Sequence, residues 1–254
     1  MECKKMNICY YNEATVQIKL KTQYHVGSGF GLGRVIDSLL RINPDGVPVL
    51  PGTTVSGIVA QGLYDLLHFS FFERERDTIC AFHNPHIPEP RLPCAISRPG
   101  EDPCMLCYFL GSSAQEGIIA WEDFTCTSDK ELILPMLKSG KCSADERQQY
   151  IKPYASHKQE MRTGTVLDRH LFFFEEGAAL EFEGTIRFSE SVQENKAVYL
   201  AAAMLNTRAV GRRKSRGKGA CKMSGSFASF ENNKQVRTAE FRELVENIED
   251  RKAL

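Results

Sequence analysis

Polar and apolar residues alternate over positions 15–22, with Val16, Ile18 and Leu20 on one side. That period of two predicts a half-buried strand. A second alternation runs through Leu180, Phe182, Ile186 and Phe188. Between them, Val55, Ile58, Val59, Leu63, Leu66 and Leu67 recur at helical spacing behind Pro51 and Gly52. They predict a helix ending near His68, with Thr53 or Thr54 as its N-cap. The alanine-rich stretch 197–207 predicts another helix, and 117–124 and 220–227 further strands. Phe241, Leu244, Val245 and Ile248 give the tail a modest amphipathic helix. The simplified order is strand, helix, strand, then strand, helix, strand. The fold class is therefore α+β, with a split βαβ or ferredoxin-like core.

Two stretches interrupt the pattern. Residues 73–107 are rich in Pro, Cys and His and have no periodicity, so an insertion is expected at about 70–110. Residues 125–169 are polar and basic, with a helix expected near 129–138 and too few apolar residues for a core. They form a second expected insertion within one domain spanning 1–254. The glycine-rich loop at 27–33 ends in Arg34, and residues 43–46 read as a turn.

At 254 residues and 42% hydrophobic, the chain can bury one substantial core. No apolar run approaches the roughly 20 residues of a membrane span. Residues 1–7 lack the apolar stretch of a signal peptide, which predicts a cytoplasmic protein. The net charge is zero, so only local segregation is informative. Arg208, Arg212, Arg213, Lys214, Arg216, Lys218 and Lys222 follow one another with no acidic residue among them. The glycines between them let backbone N–H groups come close to phosphate. Of nine cysteines, Cys80, Cys94, Cys104 and Cys107 fall near His83 and His86. The Cys104-x-x-Cys107 pair is half of a structural zinc site. Cys94, Cys104 and Cys107 are the expected ligands, with Cys80 or His83 as the fourth.

Three features resemble one family when taken together. His25-Val-Gly-Ser-Gly leads through Asp37 to Pro48-Val-Leu-Pro-Gly-Thr-Thr-Val-Ser-Gly57. Cys104-Met-Leu-Cys107 continues into Tyr-Phe-Leu-Gly111-Ser-Ser and Trp121-Glu-Asp123. The third feature is Gly211-Arg-Arg-Lys-Ser-Arg-Gly-Lys-Gly219. In order and spacing this is similar to the RAMP superfamily of CRISPR proteins, and within it to the repeated backbone subunit of type III effector complexes.

The resemblance implies a core that cradles a CRISPR guide RNA beside other RAMP subunits. It implies a thumb-like insertion that displaces base pairs between guide and target RNA; residues 125–169 are the thumb candidate. His25, Ser28, Arg34, Thr53, Thr54, Ser56, Lys152, Arg162, Arg212, Arg213, Lys214, Arg216 and Lys218 are the expected RNA contacts. Tyr154, His157 and Lys158 also suit a segment touching backbone and unstacked bases. Asp37 occupies the position of the family's cleavage aspartate, which implies a metal-dependent endoribonuclease using a divalent cation such as Mg. Two alternatives stay open: a non-catalytic guide-RNA scaffold of the same complex, and a precursor-processing endonuclease with His25 as general base.

Overall fold

A computed structural model describes residues 9–32, 35–68, 79–83, 92–128, 150–159, 166–231 and 234–252. The first alternation becomes β1 (Tyr10–Leu20), which buries Ala14, Val16, Ile18 and Leu20 and exposes Gln17 and Lys19. The short β2 (Val49–Leu50) leads through Pro51 into α1 (Gly52–His68). That helix buries Val55, Ile58, Val59, Leu63 and Leu67, the stripe its spacing predicts. The cysteine-rich stretch supplies a 3-10 turn (Ala81–His83) and the short helices α2 (Cys94–Ser97) and α3 (Met105–Leu110). It closes with the small hairpin of β3 (Gly111–Ser112) and β4 (Gln115–Glu116).

Next come β5 (Ile119–Trp121) and β6 (Phe124–Cys126). A two-stranded hairpin follows, made of β7 (Ile151–Gln159) and β8 (Val166–Gly177). The second alternation is β9 (Glu181–Gln193), which runs directly into α4 (Glu194–Asn206). The chain then forms β10 (Cys221–Glu231), β11 (Lys234–Glu240) and α5 (Phe241–Lys252).

Among the described residues the main sheet has seven strands, in the order β11-β10-β1-β9-β6-β2, with β5 also paired to β9. Its strand pairs, among the described residues, are antiparallel. β1 is central: Ile18 stands opposite Met223 on one neighbour and Phe182 on the other. The helix α4 packs on α1, on α5 and on the three strands around β1. One hydrophobic core results, running from Tyr11 to Leu244. The architecture is mixed α and β with a mainly antiparallel sheet.

Two local differences from the sequence reading have physical causes. Thr53 and Thr54 lie inside α1 and do not cap it. The Gly52 amide donates instead to Asp123 Oδ1 at 3.0 Å, so the cap comes from the turn between β5 and β6. Gly52 is needed there, because a Cβ would stand 2.6 Å from the Glu122 carbonyl oxygen. β11 was not expected, since Lys-Gln-Val-Arg-Thr-Ala-Glu shows no alternation; it is an edge strand that buries only Ala239. The helix expected at 129–138 lies outside the described residues. No described helix is long and apolar enough to cross a membrane.

Candidate nucleic-acid interface and metal centre

The Gly211–Gly219 loop is held to the end of β1 by its backbone. The Arg212 amide donates to the His25 carbonyl at 2.9 Å, and the Gly219 amide to the Gln23 carbonyl at 2.7 Å. Thr22 Oγ1 donates to the Gly217 carbonyl and accepts from the Ala220 amide, both at 2.9 Å. Gly211 sits at φ +85°, and a Cβ there would meet the His25 oxygen at 2.4 Å. A side chain would part the loop from the strand.

The basic side chains of the loop divide into two groups. Arg212, Lys214 and Arg216 are exposed. Lys218 is 23% exposed and pairs with Glu176, 5% exposed, at 2.8 Å. It also donates to Gln23 Oε1 at 2.7 Å. The Arg213 guanidinium lies 4.0 Å from the Phe174 ring centroid. Lys218 and Arg213 thus fasten the loop to β8, a role their sequence context did not reveal. A cleft of about 520 Å³ opens between loop and hairpin, lined by Lys21, Lys152, Arg216 and Lys218 with Glu176. Lys152 is exposed on β7, as expected of a phosphate contact.

Asp37 stands on the other side of this hairpin. Its carboxylate Oδ2 accepts from the Phe173 amide at 2.7 Å, and its own amide donates to the Phe173 carbonyl at 2.7 Å. The side chain is exposed, and among the described residues its Oδ1 has no partner. The preceding loop presents Phe30, Leu32 and Val35 to solvent, Phe30 at 72%. Phe172 and Tyr154 are exposed on the hairpin. Such surfaces suit unstacked bases. Among the described residues, four cysteines form the one group of three or more metal-ligating side chains that come together.

His25 is buried. It is 3% exposed, with Nδ1 2.6 Å from the Glu175 carbonyl and Nε2 3.2 Å from Ser38 Oγ. Burial pushes its pKa below the ordinary histidine value, which favours the neutral ring. In that form Nδ1–H donates to the carbonyl and Nε2 accepts from the serine. Ser28 closes a local turn, its hydroxyl donating to the Phe30 carbonyl and accepting from the Phe30 amide. Thr53 is exposed and Thr54 and Ser56 half-buried in the first turns of α1, whose leading amide Asp123 already occupies. Arg34 and Arg162 lie outside the described residues, as do the side chains of His157 and Lys158.

The cysteine ligand set closes. The Sγ atoms of Cys80, Cys94, Cys104 and Cys107 all lie within 4.8 Å of one another, and all four residues are buried. Cys80 Sγ is 3.5 Å from Cys107 Sγ and 3.8 Å from Cys104 Sγ. A tetrahedral centre with metal–sulfur bonds of about 2.3 Å needs sulfurs roughly 3.8 Å apart. Disulfides need about 2.0 Å, which these pairs exceed. His83 drops out as fourth ligand, because its Nε2 faces the Gly111 carbonyl at 3.2 Å. Two amides and a guanidinium support the sulfurs. Cys104 N–H reaches Cys94 Sγ at 3.3 Å, Cys107 N–H reaches Cys104 Sγ at 3.5 Å, and Arg98 Nη2 reaches Cys94 Sγ at 3.1 Å. Hydrogen bonding from Cys107 holds the Cys104 thiol down to about 4, against the upward push of burial. A thiolate is the form that ligates metal.

Sequence reasoning missed Ser38, Asp123, Phe174, Glu175 and Glu176. A signal for the last three was present: the apolar run Leu171-Phe-Phe-Phe174 breaks abruptly into two glutamates.

The sequence profile of the RAMP superfamily matches residues 17–222. No curated protein matches the chain. A chain in the cryo-EM structure of a type III-B Cmr-beta complex bound to cognate target RNA is similar in fold, with a TM-score of 0.51 at 14% identity. The match covers 91% of this chain and 61% of that one, so the present chain spans about three-fifths of its neighbour.

Proposed function

The chain belongs to the RAMP superfamily, and from that premise we propose that it is a guide-RNA-binding backbone subunit of a type III CRISPR effector complex. Its partners on this reading are a guide RNA, a target RNA and other RAMP subunits. One observation carries it: basic loop, projecting hairpin and Asp37 segment are bonded into a single continuous surface. The strand order supports the ferredoxin-like core, since β10-β1-β9 with β5 and β6 beyond is the order of two interleaved βαβ units. The hairpin of β7 and β8 is the thumb in this reading.

Exposed Arg212, Lys214 and Arg216 hold the guide backbone through phosphate, without reading its sequence. Asp37 directs cleavage of the target. In that step the 2′-oxygen attacks the adjacent phosphorus, and the bond to the 5′-oxygen of the next nucleotide breaks. The products are a 2′,3′-cyclic phosphate and a 5′-hydroxyl. Oδ1, without a partner among the described residues, would orient the attacking hydroxyl, whose proton ends on the departing 5′-oxygen; a divalent cation, if bound, would supply charge neutralisation on the phosphate. The four cysteines fit a structural zinc, which would pin the 80–111 stretch to the core; no step passes through it.

The Asp37–Phe173 bond also favours a second reading, a scaffold subunit in which Asp37 only anchors the thumb. The test is a guide-loaded complex given a complementary target RNA. Asp37→Ala should lower cleavage at this subunit's site by at least about 100-fold, with target affinity kept within about twofold. Cleavage at the wild-type rate would leave the scaffold reading standing.

A further inference from the structure

The segment from Asp37 to Leu40 is laid along β8 as though it were a third strand of the hairpin. Ser38 forms a parallel bridge with Phe174. The amides of Asp37 and Ser38 both donate to the Phe173 carbonyl, at 2.7 and 3.3 Å, and the Glu175 amide donates to the Ser38 carbonyl at 3.0 Å. Two side chains lock this arrangement. Glu175 Oε2 accepts from the Leu40 amide at 2.9 Å, so one glutamate grips the segment by both its backbone and its carboxylate. His25, at the end of β1, joins the Glu175 carbonyl on β8 to the Ser38 hydroxyl beside Asp37. The packing leaves no slack: a Cβ on Gly27 would stand 2.9 Å from Ser38 Oγ and 3.2 Å from His25 Nε2.

We propose that His25 and Glu175 are positioning residues for Asp37, clamping its segment between the core strand and the base of the projecting hairpin. Neither touches substrate. Asp37 follows the glycine-rich loop at 27–33, whose freedom would otherwise let the carboxylate sample many directions. A residue that directs an attacking hydroxyl loses rate steeply with misplacement of about 1 Å. The clamp removes that freedom from both sides. In the neutral ring, Nδ1–H donates to the Glu175 carbonyl and Nε2 accepts from Ser38. The charged groups facing it are Glu176 on β8 and Arg212 and Arg213 on the basic loop, and Glu175 is turned to Leu40. The two arginines and the burial of the ring oppose its protonation, while Glu176 favours it.

The proposal rests on Asp37 being the cleaving residue, and the experiment separates the two. Full-length Glu175→Ala, Ser38→Ala and His25→Phe are compared with His25→Gln, which keeps a polar atom where Nε2 stands. Hydrogen exchange on the full chain reads the amides of residues 38–40. Single-turnover cleavage by the guide-loaded complex reads rate against target affinity. Glu175→Ala and His25→Phe should speed exchange at 38–40 and slow cleavage about tenfold or more, with affinity within about twofold. Ser38→Ala, which removes one hydroxyl, should show the same effects more weakly, and His25→Gln should recover most of the rate. Wild-type exchange and wild-type cleavage in Glu175→Ala and Ser38→Ala, alongside an inactive Asp37→Ala, would overturn the clamp alone. Wild-type cleavage by Asp37→Ala would overturn the reading beneath it.

Discussion

Lys218 and Arg216 are two residues apart in the same glycine-rich loop, and the fold gives them opposite jobs. Arg216 is exposed to solvent, while Lys218 reaches down to a nearly buried carboxylate on β8. Breaking such a pair strands the glutamate without its counter-charge. Lys218→Ala should therefore lower unfolding free energy by about 3 kcal/mol, whereas Arg216→Ala should stay within about 0.5 kcal/mol. Urea denaturation of both variants checks the contrast, and Lys218→Ala with Glu176→Gln should recover part of the loss. Arg212, Lys214 and Arg216 are left exposed. Nothing in the run of seven basic residues separates the two groups, because the separation depends on which of them meets β8.

At the scale of elements, α1 illustrates how a correct stripe can carry a wrong cap. Its apolar face follows directly from residue spacing. Its N-terminal amide is satisfied by Asp123, 71 residues away, and no local rule points there. Asp123→Ala should cost about 1 kcal/mol, read as a lowered Tm, while Thr53→Ala should leave stability nearly unchanged. A capping threonine would reverse that order. The hairpin of β7 and β8 taught a similar lesson. Its sequence was legible as an excursion from the core, but not as two paired strands. Its outer half is polar and basic, so the alternation that marks a half-buried strand is missing. At its base Ile151, Phe174 and Glu176 are buried, and that is where the loop and the Asp37 segment meet it.

For the whole molecule, the cysteine stretch and the basic face share no residue. Metal removal should accordingly act on stability before it acts on the loop. Elemental analysis should find one zinc per chain, and Cys104→Ser should abolish it while Cys126→Ser retains it. Chelation should lower stability on the order of 4 kcal/mol, a Tm fall of about 10 °C. A zinc-free protein with unchanged Tm would remove the metal from the structure's account.

Determined by the sequence alone were the periodic elements, the stretch carrying the four cysteines and the basic loop. Each depends on residues close together along the chain, where spacing states the geometry. The tertiary structure alone decided which cysteine completes the set, since His83 turns to Gly111 while Cys80 joins its three partners. It decided that His25 is buried, because residues about 150 positions away on β8 meet its ring. It also decided which cations remain exposed. These outcomes turn on burial and on the positions of distant partners, which exist only once β1, β8 and the basic loop have come together.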